Sequence, residues 1–170
     1  VVLTQMNYLD EYYQTGVMGL DELKRLNIGS MIMEPLRGGR LVQNIPPEVQ
    51  KLWDCAEVKR TPVEWALEYL WNRDDVDCVL SGMNSLEQVK QNIQIASNVK
   101  EISESDQDLI REVARTYKTL TGNECTSCGY CMPCPEGVDI INCFNEYNIG
   151  KMLNNPKGSA MQYFSLIDED

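Results

Sequence analysis

Met31-Ile32-Met33-Glu34-Pro35-Leu36-Arg37-Gly38-Gly39-Arg40 is a short apolar run that stops at a turn too rich in glycine and proline to extend it. It reads as a strand with a loop at its C-terminal end. Upstream, Val1-Val2-Leu3-Thr4-Gln5-Met6-Asn7 is β-branched and apolar and reads as a second strand. It has the look of a strand cut from the middle of something larger, so the chain is expected to be a piece of a longer protein. Between the two, Gly19-Leu20-Asp21-Glu22-Leu23-Lys24-Arg25-Leu26 places leucines at helical spacing, and Asn27 and Gly29 supply a stop.

Downstream the alternation continues. Pro46-Pro47 opens a helix over Glu48 to Val58, and Thr61-Pro62 places an N-cap and an N1 proline before Val63 to Leu70. Asp77-Cys78-Val79-Leu80-Ser81 reads as the third strand. It runs into Gly82-Met83-Asn84-Ser85, where Ser85 caps a helix over Leu86 to Ala96 and Glu87 or Gln88 assists. Ser103 to Asp106 starts a longer helix, apolar at Leu109, Ile110, Val113, Tyr117 and Leu120, that ends at Gly122. Strands alternating with helices predict an α/β fold of about three parallel strands, either an open doubly wound sheet or a piece of a barrel. Cys55 and Cys78 fall in a predicted helix and strand and read as small buried hydrophobes. The loops Glu34 to Arg40 and Gly82 to Ser85 join glycine to helix N-termini, an arrangement suited to nucleotide phosphates.

Composition limits the partners. Lys and Arg total 15 against 26 Asp and Glu, a formal charge of −11, which repels nucleic acid and anionic lipid. The apolar runs are short and broken by charge, so no membrane span is expected, and the reading is cytoplasmic.

From Asn123 the pattern changes. Cys125-Thr126-Ser127-Cys128-Gly129-Tyr130-Cys131-Met132-Pro133-Cys134-Pro135 has no apolar period and packs four of the seven cysteines into ten residues. C-x2-C-x2-C-x2-C-P wraps a compact 4Fe-4S cluster better than a single zinc, whose knuckles present two separated C-x2-C pairs. Zinc stays the alternative, and a disulfide framework ranks below both. The run resembles the bacterial ferredoxin motif with one residue fewer before its last cysteine. Cys125, Cys128 and Cys131 are therefore the expected ligands, with Cys134 the fourth and Cys143 in reserve. A helix follows over Asp139 to Leu153, then the polar stretch Asn154 to Ser159. The domain division expected is 1–122 and 123–170.

Gln5 to Asp10, Met33 to Leu41 and Ser81 to Ile93 resemble, in order, the last three βα units of the aldo/keto reductases. Cys125 to Pro135 resembles the ferredoxin-like tail of one bacterial and archaeal branch of that family. The likeness implies the C-terminal portion of a (β/α)8 TIM barrel, strands six to eight, with a nicotinamide cofactor at its C-terminal face, plus a small helical and loop iron-sulfur domain. Carried over by position, Gln5 meets the nicotinamide carboxamide, and Glu34, Pro35, Leu36, Arg37 and Gly38 lie on the pyrophosphate. Gly82, Met83, Asn84, Ser85, Gln88, Gln91 and Asn92 hold the adenosine end. Only Lys90 is basic in that segment, so NADP and NAD both stay open.

The family's catalytic Asp, Tyr, Lys and His come from earlier strands, and the chain contains no His, so no catalytic residue carries over. Tyr8, Tyr12 and Tyr13 read as packing or rim residues. The parent is expected to move a hydride between the nicotinamide and a small carbonyl or alcohol, the chain alone being inactive and the cluster serving a redox partner or bracing the fold. The rival is a non-catalytic iron-sulfur or zinc module on a barrel scaffold. Exposed strand edges predict that the chain dimerises or is poorly stable.

Overall fold

The computed structural model describes residues 1–123, 125 and 129–167, the last two as backbone only. Two compact units emerge: one of Val1–Gln43 with Leu52–Ala114, the other of Asn44–Lys51 with the chain from Arg115 onward.

The first unit is α/β. Strands β1 (Val2–Gln5), β2 (Ser30–Met33) and β3 (Cys78–Val79) form a parallel sheet in the order β1-β2-β3, with Thr4 opposite Ile32 and Ile32 opposite Val79. Parallel neighbours need a crossover, and helices supply it: α1 (Gly16–Arg25) between β1 and β2, and α2 (Pro47–Asp54) with α3 (Pro62–Trp71) between β2 and β3. β3 is shorter than its apolar run, although the Leu80 amide still donates to the Ile32 carbonyl at 2.8 Å. Ser30 and Asp77 lock the strand starts together. The Ser30 amide donates to Asp77 Oδ2 at 2.7 Å, and its hydroxyl donates to the Asp75 carbonyl at 2.8 Å.

Helix boundaries follow their local chemistry. Asn27, at φ 54°, takes the left-handed position after α1, a conformation asparagine tolerates. Thr61 and Glu64 complete a reciprocal capping box at the start of α3. α4 (Leu86–Ala96) starts at Ser85, whose hydroxyl accepts the Gln88 amide at 3.3 Å, and α5 (Glu104–Thr119) follows. α2 ends at Asp54 rather than Val58. The next amides turn to shorter-range carbonyls, Cys55 to Leu52 and Ala56 to Trp53, and Lys59 Nζ donates to the Asp54 carbonyl.

The core is aromatic. Trp53 stacks on Trp65 with ring centroids 4.6 Å apart, and Tyr8 meets Trp53 and Tyr69 edge-on. Tyr8 is thus a packing residue, while Tyr12 and Tyr13 are exposed. Cys55 and Cys78 correct the sequence reading, since both are exposed: one lies past the end of α2, the other on a strand too short to be covered.

The second unit contains a helical hairpin. Asp139 accepts the Asn142 amide at 3.1 Å and caps α6 (Ile140–Met152). Pro156 then opens α7 (Pro156–Ile167), which the polar stretch 154–159 concealed. Asn155 Oδ1 accepts the Gly158 amide at 3.1 Å, so the polar residues are the helix's cap rather than a loop. Gly150 permits the close approach of α6 to α7, because a Cβ there would stand 3.2 Å from the Pro156 backbone and 3.1 Å from Ser159. Among the described residues no helix is long and apolar enough to cross a membrane.

Candidate functional site

The C-terminal ends of β2 and β3 open into one cleft of about 630 Å³. Its walls bring together Glu34, Pro35, Leu36 and Gly38 from the loop after β2 with Gly82, Met83, Asn84, Gln88, Gln91 and Asn92 from β3 and α4. Ten of the thirteen expected nucleotide residues therefore share a single concavity. Gln5, Arg37 and Ser85 do not line it.

The first wall is a tightly wound loop. Glu34 (φ 57°), Arg37 (φ 51°), Gly38 (φ 62°) and Gly39 (φ 81°) all adopt the left-handed conformation. Two of the four carry side chains, and such residues cost about 1–3 kcal/mol each unless the surroundings fix them. Turn bonds from the Arg37 amide to the Glu34 carbonyl (3.0 Å) and from the Arg40 amide to the Arg37 carbonyl (3.1 Å) provide part of that restraint.

Asp10 provides the rest, and the sequence reading gave it no role. Its Oδ2 accepts from Gln5 Nε2 (3.2 Å), Asn7 Nδ2 (3.0 Å) and Arg37 Nε (3.2 Å). Asn7 also donates to the Glu34 carbonyl at 3.1 Å, which ties the end of β1 to the loop after β2. Gln5 and Arg37 thus stand in a support behind the loop, with Arg37 Nη1 buried and without a partner among the described residues. Both Asn7 and Asp10 sit inside the motif that begins at Gln5, so the signal was their place in it.

The second wall is the start of α4. Ser85 is absent from the lining because its hydroxyl is spent on the Gln88 amide. The Gln88 side chain accepts the Asn84 amide at 2.9 Å, and Asn92 Nδ2 donates to Ser81 Oγ at 3.1 Å, so α4 and the loop before it brace one another. The N-terminal end of α4 presents partial positive charge here. Amide side chains line this wall, and neither Lys nor Arg does among the lining residues. Gly82 borders open space: a Cβ placed on it meets no atom within 4 Å.

A smaller polar hollow of about 200 Å³ in the same unit is lined by Glu11, Tyr69, Asn72 and Arg73, among others. Its groups are already matched, since the Tyr69 hydroxyl donates to Glu11 Oε1 at 2.6 Å and Arg73 forks onto Asp75. Burial, then the charge of Glu11, pushes the Tyr69 phenol well above its ordinary range, so it stays protonated and is no base.

In the cysteine segment Cys125, Cys131 and Cys134 are described, and Cys128 lies outside the described residues. Among the described residues no three His, Cys, Asp or Glu side chains gather as a metal site. The loop itself is built from turns. Gly129 (φ 79°) and Gly137 (φ 71°) are left-handed, the Met132 amide donates to the Gly129 carbonyl, and the Gly137 amide donates to the Cys134 carbonyl. The Cys125 amide donates to Asn123 Oδ1 at 3.0 Å, and Asn123 Nδ2 is buried with no partner among the described residues. Soft thiolates on a loop with a spare buried N–H donor are chemically suited to a cluster or to zinc.

No family model matches the chain, and no curated protein does. Among solved structures, the holo form of the aldo-keto reductase AKR11C1 from Bacillus halodurans matches with a TM-score of 0.53 at 21% identity, over 65% of this chain and 41% of that one. Its apo form gives 0.52 at 21% identity, over 65% and 42%. The chain spans about two fifths of the length of these structures. At that identity the likeness concerns the fold alone: the three-stranded parallel unit with its helices matches part of an aldo-keto reductase barrel.

Proposed function

We propose that the chain is the nucleotide-binding portion of an NAD(P)-dependent oxidoreductase, carrying a cysteine segment that holds a 4Fe-4S cluster. The observation that carries the reading is the convergence of the loop after β2 and the start of α4 on one cleft at the C-terminal strand ends, where barrels of this kind place their sites. The amides of Leu36, Gly38 and Gly39 would hold the pyrophosphate, and Asn84, Gln88, Gln91 and Asn92 the adenosine end. Gln5, fixed through Nε2 by Asp10, would present its amide oxygen to the nicotinamide carboxamide. The nucleotide supplies the hydride, and the protein's share is to seat and orient it. The carbonyl or alcohol substrate and the acid–base residues belong to the whole enzyme. Cys125, Cys128, Cys131 and Cys134 supply the thiolates for the cluster, which adds one-electron chemistry to the protein.

Gly82 provides the test. Its backbone is not left-handed and its Cβ position is open, so Gly82→Leu adds bulk to the cleft without backbone strain. Titration calorimetry with NADH and NADPH is expected to detect binding to the chain, weakened about tenfold or more in Gly82→Leu, with an unchanged melting temperature. No binding of either nucleotide, or equal binding by the variant, refutes the assignment of the cleft.

A further inference from the structure

Asn123 and Asn148 have no part in the cleft described above, yet they define where the cysteine loop begins. Asn148, on α6, accepts through Oδ1 from the amides of Gly122 (3.0 Å) and Asn123 (2.9 Å). Its Nδ2 donates to the Asn123 carbonyl (3.0 Å) and to Asn123 Oδ1 (3.2 Å). Asn123 passes the restraint onward, because the same Oδ1 accepts the Cys125 amide at 3.0 Å. Gly122 tightens the junction, since a Cβ there would collide with the ring of Tyr147. Two successive residues of α6, 147 and 148, therefore seat the chain immediately before Cys125, the first cysteine of the loop.

One atom of this junction is left over. Among the described residues Asn123 Nδ2 is buried without a partner, a state that costs about 1–3 kcal/mol if nothing accepts the bond. Two residues later stands the sulfur of Cys125, and an anionic sulfur is the acceptor whose electronics such donors tune. Asn148 does not need to be asparagine to hold a helix, and Asn123 does not need an amide to make a turn. Together they form a path of hydrogen bonds from α6 to Cys125.

We propose that Asn123 and Asn148 are a positioning clamp for the metal-binding loop. Asn148 fixes the backbone ahead of Cys125 on α6, and Asn123 Nδ2 donates to the sulfur of the metal-bound thiolate or of the cluster. The proposal rests on the cysteine segment binding metal.

The test uses the full chain, loaded anaerobically with iron and sulfide, and the variants Asn148→Leu, Asn148→Asp and Asn123→Asp. Loss of visible absorbance under a chelator, metal content, reduction potential and helical circular dichroism are followed in each. Asn148→Leu is expected to lose its cluster about tenfold faster than the parent, with its helix signal kept. Asn148→Asp, which retains an acceptor for the two amides, falls between. Asn123→Asp keeps the acceptor for Cys125 but replaces the spare donor with an oxygen, so it loads yet shifts to a more negative potential. Parent-like retention and potential in all three overturn the clamp while leaving the cluster intact as a reading. Stoichiometric zinc without sulfide in the parent removes the cluster reading, and zinc retention in the same variants then decides the clamp. A parent that takes no metal overturns both.

Discussion

Arg60 is the residue on which the most electrostatics depends. Its side chain is fully buried, bonded through Nε to Glu68 at 2.7 Å, through Nη1 to Asp106 at 3.1 Å and through Nη2 to the Glu101 carbonyl at 2.8 Å. The guanidinium also lies 4.5 Å from the centroid of the Trp65 ring. Removing it strands two buried carboxylates, whereas replacing the whole cluster with apolar residues of like volume would not. Arg60→Met is therefore expected to cost about 3–5 kcal/mol in urea unfolding, far above a surface charge change. A loss below about 1 kcal/mol would mean that water reaches Glu68 and Asp106. No sequence pattern marks this cluster, since its members are 46 residues apart at most and unite only when α3 and α5 have packed. Asp10 is similar: it lies in the motif that begins at Gln5, but its three donors come from β1, from the turn just after it and from the loop after β2.

At the scale of elements, local chemistry decided what was legible. The Thr61-Pro62 start of α3 and the Ser85 cap of α4 could be read directly, because each depends on a local residue preference. α7 was missed for the converse reason: its cap and first turn, Asn155 to Ser159, look like a polar loop, and what makes them helical is packing against Gly150 on α6. The cleft was legible too, since the residues that converge lie at strand ends whose order the alternation fixes. Ser85 and Arg37 do not line it, and sequence position does not reveal that a side chain is already spent on a cap or a carboxylate.

The α3 cap carries a prediction of its own. Glu64 accepts from the Thr61 amide at 2.6 Å and from Lys100 Nζ at 2.8 Å. Burial works against its charge, but the bonds from Lys100 and Thr61 outweigh it and hold the carboxyl below its usual range. A carboxylate depressed in the folded state contributes stability above its unfolded pKa and loses it as pH falls through the folded value. Thr61→Ala is expected to cost about 1 kcal/mol in chemical denaturation. The stabilisation from Glu64 should fade below about pH 4, while Glu64→Gln should flatten that part of the acid titration. An acid limb unchanged in Glu64→Gln would show that other carboxylates set it.

For the whole molecule, the barrel-type unit and the cysteine-bearing unit rest on different physics. The first is ordered by an aromatic core under a parallel sheet, and its cleft opens where β2 and β3 end. The second has turns and a helical hairpin, with a loop that owes its shape to short-range bonds and, on the present reading, to metal. The central claim is that a nicotinamide dinucleotide occupies the cleft at the ends of β2 and β3. Hydrogen–deuterium exchange read by mass spectrometry, with and without saturating NADH or NADPH, tests it most directly. Slower exchange is expected in residues 34–43 and 81–92, with no change across α6 and α7. Unchanged exchange in both cleft segments, or protection confined to other segments, would contradict it.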